Sequence, residues 1–116
     1  MAFERNTRLS EEVRKVLSNI VQNELKDPRI PPLTSITHVD VTKDLRYAKV
    51  YVSVFADNES KKSCIEGLKS ASGFLRKELG NRIKIRYTPE LIFELDESIE
   101  YSMKINDILR EINKNE

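Results

Sequence analysis

The order of periodicities along this 116-residue chain predicts an α+β domain of order α-β-β-α-β, with one further helix at the end. Three observations carry that expectation. A stripe of helical spacing opens the chain, two valine-rich stretches alternate with a period of two, and a second helical stripe gives way again to alternation. The length is that of one domain, 1–116, with a core over about 8–96 and a C-terminal helix over about 98–113. A chain of this size can bury roughly two thirds of its unfolded surface, enough for one core.

Leu9, Val13, Val16, Leu17, Ile20, Val21 and Leu25 form the first stripe, which Thr7 or Ser10 can cap. Asp27-Pro28 stops it, because the residue before proline is pushed out of the helical region. "DPRIPPLTS" is then a loop stiffened by prolines. In "ITHVDVT", Thr37, Val39 and Val41 share a face; in "YAKVYVSVF", Ala48, Val50, Val52 and Val54 do. "KDLR" between them turns the chain, giving a hairpin whose valine face packs on the first helix. The second helix starts near Asn58 or Ser60, buries Ile65, Leu68, Ser72, Leu75 and Leu79, and ends at Gly80 as a C-cap. "RIKIRY" reads as a strand broken by Thr88-Pro89, and "ELIFELD" as a second short alternating piece. Ser98 can cap the last helix, whose apolar side is Tyr101, Ile105, Ile108, Leu109 and Ile112.

The middle of the second helix is unusual, for Ala71, Ser72 and Gly73 stand where a core helix wants bulk. On a wheel at about 100° per residue, Phe74 lies far from the apolar stripe. A bend at these small residues would turn Phe74 inward, at little cost where a glycine already weakens the helix, and is favoured over the alternative of an exposed Phe74. Lys69, Arg76, Lys77, Arg82, Lys84 and Arg86 crowd the same region against Glu78 alone, a net of +5. A backbone bare of side chains admits a bulky partner, and a helix start favours anions, so the region suits a phosphate backbone. Arg8, Arg14 and Lys15 on the exposed side of the first helix extend the patch. The plainer alternative is that the small residues let the helix pack closely on the hairpin.

Charge distribution points the same way. Residues 1–89 hold 17 Lys/Arg and 11 Asp/Glu, a net of +6, while residues 90–116 carry a net of −5. A basic body suggests an anionic partner. Cys64 is the only cysteine, so neither an intramolecular disulfide nor a cysteine-based zinc site is expected. No signal peptide and no apolar run of membrane-spanning length is found, which leaves a soluble protein of the reducing cytoplasm with no membrane partner. Glu90, Glu94, Asp96, Glu97 and Glu100 lack the spacing and the glycine of a calcium loop, and suit a helix start instead. His38 has no partner for catalysis and reads as a rim residue; Cys64 reads as an inert, part-buried thiol. Tyr47, Tyr51 and Phe55 with Lys49 line a strand face that could stack bases, though the C-terminal helix is expected to cover it. No catalytic residue, metal site or cofactor motif is found.

The α-β-β-α-kink-α-β order, with Ala71-Ser72-Gly73 at the kink, resembles a type II KH domain, in which a GxxG loop joins two helices. The Ala-x-Gly form, the run "FLRKELGNRIKIRYTPELIFELDESIEYSMKINDIL" and the opening "RLSEEVRKVLSNIVQNELKDPRI" are similar to the bacterial ribosome-binding factor A family. The likeness covers residues 8–109 and is most specific at Ala71-x-Gly73, at Arg-Tyr-Thr-Pro-Glu-Leu over 86–91, and at Asp96 with Glu100-Tyr101. The resemblance implies a three-stranded mixed sheet with helices on one face. It implies a monomeric cytoplasmic RNA-binding factor, not an enzyme, acting in ribosome biogenesis. Such a factor binds the immature small (30S) subunit and its 16S rRNA, and assists late maturation and 5′-end processing of the precursor rRNA, including in the cold. A generic KH-type RNA-binding or protein-docking module is the alternative.

Overall fold

The computed structural model describes the backbone of residues 2–97 and the side chains from residue 6 onward. The expected helix over 98–113, with its Ser98 cap, lies outside the described residues.

Helix α1 (Ala2–Asn23) buries Leu9, Val13, Leu17, Ile20 and Val21, the stripe that its spacing predicts. It starts before Thr7 and Ser10, so neither caps it. The Ser10 hydroxyl instead donates to the Asn6 carbonyl (2.7 Å) and accepts from the Val41 N–H (2.9 Å), while Asn6 Nδ2 donates to the Val41 carbonyl (3.1 Å). Both main-chain groups of Val41 are thereby tied to α1.

Strands β1 (Thr34–Val41) and β2 (Tyr47–Val54) pair antiparallel. The expected face of Thr37, Val39 and Val41 is corrected by a bulge between Ile36 and His38. One extra residue shifts the phase, so Ile36, not Thr37, joins Val39 and Val41 in the core. Ala48, Val50, Val52 and Val54 all face inward as expected. In the turn, Asp44 accepts from the Thr42 hydroxyl (2.6 Å) and the Arg46 N–H (3.1 Å). Leu45 takes the left-handed conformation (φ 62°), which a leucine holds only under constraint; its side chain packs against the core.

The second helical stretch is two helices, α2 (Asn58–Ser70) and α3 (Ser72–Arg82), broken at Ala71. Asp57 caps α2 by accepting the Ser60 N–H (2.7 Å). The break occurs where the small residues predict it, but Phe74 is not turned inward: it is 45% exposed. Leu68, Leu75 and Leu79 stay fully buried on one side of both halves, so the break preserves the stripe rather than rephasing it. Gly73 has an ordinary negative φ, and a Cβ there would meet nothing within 4 Å. Close packing therefore does not explain that glycine.

Two further expectations are corrected at the end of α3. Gly80 does not cap it; the helix runs on to Arg82, and Ile83 is the extended residue that follows. A Cβ on Gly80 would lie 2.9 Å from Thr88 Oγ1, so this glycine clears the path of the segment crossing over it. "RIKIRY" is not a strand. Ile83 is buried and Ile85 half-buried against the core, but Tyr87 is 74% exposed, and the place beside β2 is taken by residues 90–95. The alternation reflects an extended segment laid over the end of the core.

Strand β3 (Glu90–Leu95) pairs parallel with β2, from Tyr47↔Glu90 to Val52↔Leu95. The sheet is mixed, of order β1-β2-β3, in an α+β fold of the KH-like kind. Its inner face meets the helices through Val39, Val41, Val50, Val52, Leu91 and Phe93. On the outer face His38, Tyr47, Lys49, Ile92 and Glu94 are exposed and Tyr51 is half-buried. The Thr37 hydroxyl donates to Asp96 Oδ2 (2.6 Å), fastening the bulge to the end of β3.

Candidate nucleic-acid interface

Four segments meet at one end of the sheet around an open groove of about 1060 Å³. The first half of α1 supplies Arg8, Leu9 and Glu12, and the β1–β2 turn supplies Asp44, Leu45, Arg46 and Tyr47. Arg76 of α3 and the segment 84–90, with Lys84, Arg86, Tyr87 and Glu90, complete the walls. Five cations thus face three carboxylates. One of these, Asp44, is engaged by its own turn, and the Thr42 hydroxyl and then the Arg46 N–H hold its carboxyl below the usual value.

The segment 84–90 is held firmly. Arg76 Nε donates to the Pro89 carbonyl (3.2 Å) and Nη2 to the Thr88 carbonyl (3.0 Å). The Glu90 N–H donates to the Arg46 carbonyl (2.8 Å), linking the segment to the turn beside it. Pro89 is fully buried and Ile83 anchors the other end. The Arg86 guanidinium lies 5.7 Å from the centroid of the Tyr87 ring, a cation–π contact. The loop presents an aromatic ring and two cations, Lys84 and Arg86, to solvent.

Of the residues singled out in the sequence, the groove gathers Arg8, Arg76, Lys84 and Arg86. Arg76 is nonetheless a fastener of the loop rather than a free cation. Lys15 is exposed and follows Arg8 and Glu12 at helical spacing, so it continues that wall along α1. Arg14 is paired with Glu11 (2.9 Å). Arg82 is bound to Glu24 and lies near Glu78 (3.4 Å), which joins α3 to the end of α1. Ala71, Ser72 and Gly73 stand outside the groove, as does the exposed Lys77; the Ser72 hydroxyl turns back to the Lys69 carbonyl (2.7 Å). Lys69 borders a separate shallow depression with Lys62, Ile65, Glu66, Glu94 and Leu95.

Sequence reasoning missed Arg46 and did not connect Tyr47 with Tyr87. A signal was present: the dipeptide Arg-Tyr occurs twice, at 46–47 and 86–87, and both copies line the groove. Among the described residues, no group of three or more His, Cys, Asp or Glu is placed to hold a metal ion. Cys64 is buried, and burial raises its thiol above the usual value. The arrangement suits electrostatic and stacking recognition of an anion bearing flat rings.

Comparison with known proteins agrees with the fold. The family model for Ribosome-binding factor A matches residues 5–109. A Ribosome-binding factor A from Caldanaerobacter subterraneus subsp. tengcongensis is 60% identical over 112 residues, covering 97% of this chain and 92% of that one. One from Clostridium tetani is 57% identical over 116 residues, covering 100% and 96%. The crystal structure of ribosome-binding factor A from Thermus thermophilus superposes with a TM-score of 0.69 at 28% identity, over 78% of this chain and 94% of that one. Coordinates of the Thermus thermophilus factor fitted into a cryo-EM map of its complex with the 30S subunit give a TM-score of 0.65 at 28% identity, over 78% and 93%. On the match over 5–109 and on these identities, the chain belongs to the ribosome-binding factor A family.

Proposed function

We propose that this protein binds the small ribosomal subunit through its 16S rRNA and acts there as an assembly factor. The observation that carries the reading is the convergence of Arg8, Arg46, Lys84 and Arg86 on one groove, in a family with a member fitted into a 30S complex. Cations on a rigid frame neutralise phosphates, release condensed counterions and fix the register of a folded RNA. The protein works as a monomer in the cytoplasm, by binding rather than by catalysis. It holds the immature subunit in a state that permits late maturation and 5′-end processing of the precursor rRNA. Its contribution is greatest in the cold, where RNA helices rearrange slowly.

Sucrose-gradient sedimentation tests this. The native protein is expected with free small subunits and absent from translating ribosomes. Cells lacking it should accumulate 5′-extended precursor rRNA, most strongly at low temperature. Affinity should fall with salt at a slope of about −0.7 to −0.9 per phosphate contacted. Lys84→Glu with Arg86→Glu should reduce both affinity and slope. Sedimentation with translating ribosomes, or binding indifferent to salt, would overturn the reading.

A further inference from the structure

The groove is more than a basic patch, and its aromatic rings need an account. Tyr87 is 74% exposed and Tyr47 42%. The Tyr87 ring stands in water beside cations, on a segment whose following residues are hydrogen-bonded. Its neighbours Thr88 and Pro89 are clamped by Arg76, Glu90 is bonded to Arg46, and Arg86 lies against its ring. An exposed aromatic ring beside cations offers a stacking platform for a base.

The charges choose the ligand. Arg8, Arg46, Lys84 and Arg86 line the groove together with Glu12 and Glu90. A trough for an unbroken phosphate backbone would not carry two carboxylates. A nucleotide whose base turns inward meets both needs: its phosphates take the cations, and carboxylates accept from exocyclic amino groups of a base edge.

Resting on the RNA-binding reading above, we infer that this groove seats an unpaired nucleotide of the RNA. The base stacks on Tyr87, and Arg8, Arg46, Lys84 and Arg86 hold the adjoining phosphates. The seat lies outside the Ala71-Ser72-Gly73 break and is built from the two Arg-Tyr pairs.

The full chain contains no tryptophan, so its tyrosine emission can follow a titration directly. The probes are an adenosine tetraribonucleotide and the same backbone with abasic residues. The tetramer is expected to quench emission and to bind the Tyr87→Ala variant about 5- to 150-fold more weakly, the range of one lost base–aromatic stack. Tyr87→Phe, which keeps the ring, should retain the affinity, and the abasic backbone should bind wild type and Tyr87→Ala alike. Equal binding of the tetramer by wild type and Tyr87→Ala would overturn the proposal. So would an abasic backbone that binds wild type as tightly as the tetramer. Co-sedimentation of the same proteins with small subunits keeps the two readings apart. If subunits bind but the tetramer does not discriminate, the base seat fails and the wider function stands. If the tetramer discriminates but subunits do not bind, the seat stands and the wider function fails.

Discussion

Arg76, one of the cations of the groove, also has a structural role that its place in a basic run does not reveal. Its position in a basic run suggests a free phosphate contact whose loss would leave stability within about 0.5 kcal/mol, as for an ordinary surface change. The structure argues otherwise. Arg76 donates from Nε to the Pro89 carbonyl (3.2 Å) and from Nη2 to the Thr88 carbonyl (3.0 Å). A hydrogen bond from a charged donor contributes about 1.5–3 kcal/mol. The guanidinium is exposed and Thr88 half-buried, so water replaces part of the loss, while Pro89 is fully buried. Arg76→Ala should therefore cost about 2 kcal/mol. For a domain of this size that is a fall in Tm on the order of 10 °C. Arg76→Lys keeps the charge but cannot fork to two carbonyls, and should recover no more than about half. The assay is urea denaturation of wild type and both variants, followed by far-UV circular dichroism. Coincident curves for wild type and Arg76→Ala would refute the clamp. A consequence is that lost RNA binding in any Arg76 variant says nothing about phosphate contact unless stability is measured beside it.

Gly73→Ala should raise stability by about 0.5 kcal/mol, since the position is helical, open and free of positive φ; a lower denaturation midpoint would contradict the geometry. Ser10→Ala leaves the buried Val41 N–H without its acceptor and should cost about 1–3 kcal/mol, read from the same curves. The carboxyls of Glu24, Asp27, Asp44 and Asp57 sit below their usual values, each chiefly through a hydrogen bond. A depressed folded pKa gives stability that is complete above the unfolded value and lost as pH falls through the folded one. The urea midpoint should therefore hold from pH 7 to about 5.5 and fall below the ordinary values of 4.5 for Glu and 3.8 for Asp. A midpoint that rises on acidification would reverse the sign.

Periodicity made much of the fold legible. The α1 stripe and the inward valines of β2 each declare themselves within one element, and the Leu68/Leu75/Leu79 line keeps its spacing across the break between α2 and α3. What escaped depends on neighbours that periodicity cannot supply. A bulge at Thr37 costs one residue and leaves no composition signal, yet it exchanges Thr37 for Ile36 in the core. "RIKIRY" alternates as a strand does, but β2 has only two edges, and β1 and β3 occupy them. The wheel sets Phe74 off the apolar stripe, and there it stays; the inward turn expected at the bend fails because a break can keep phase as well as change it. The groove was half visible. Arg8, Lys84 and Arg86 stood out by charge, but Arg46, Tyr47 and Tyr87 became one site only through the register that sets Tyr47 opposite Glu90.

That parallel pairing also sets a timetable. The hairpin of β1 and β2 closes over a few residues, whereas β2 and β3 meet across roughly 40 residues that must first fold into α2 and α3. Closing the longer loop costs more entropy before any contact offsets it, so β3 docks late. Segment 84–90 is tied down at its β3 end through Glu90 and the Arg76 clamp. A nascent or half-folded chain therefore owns its cations but not its groove. In refolding followed by pulsed hydrogen exchange, oligonucleotide binding should return with the protection of β3 amides and lag behind the hairpin. Binding that recovers with the hairpin would break the link. If the link holds, affinity for RNA is a property that the chain acquires last, and only when complete.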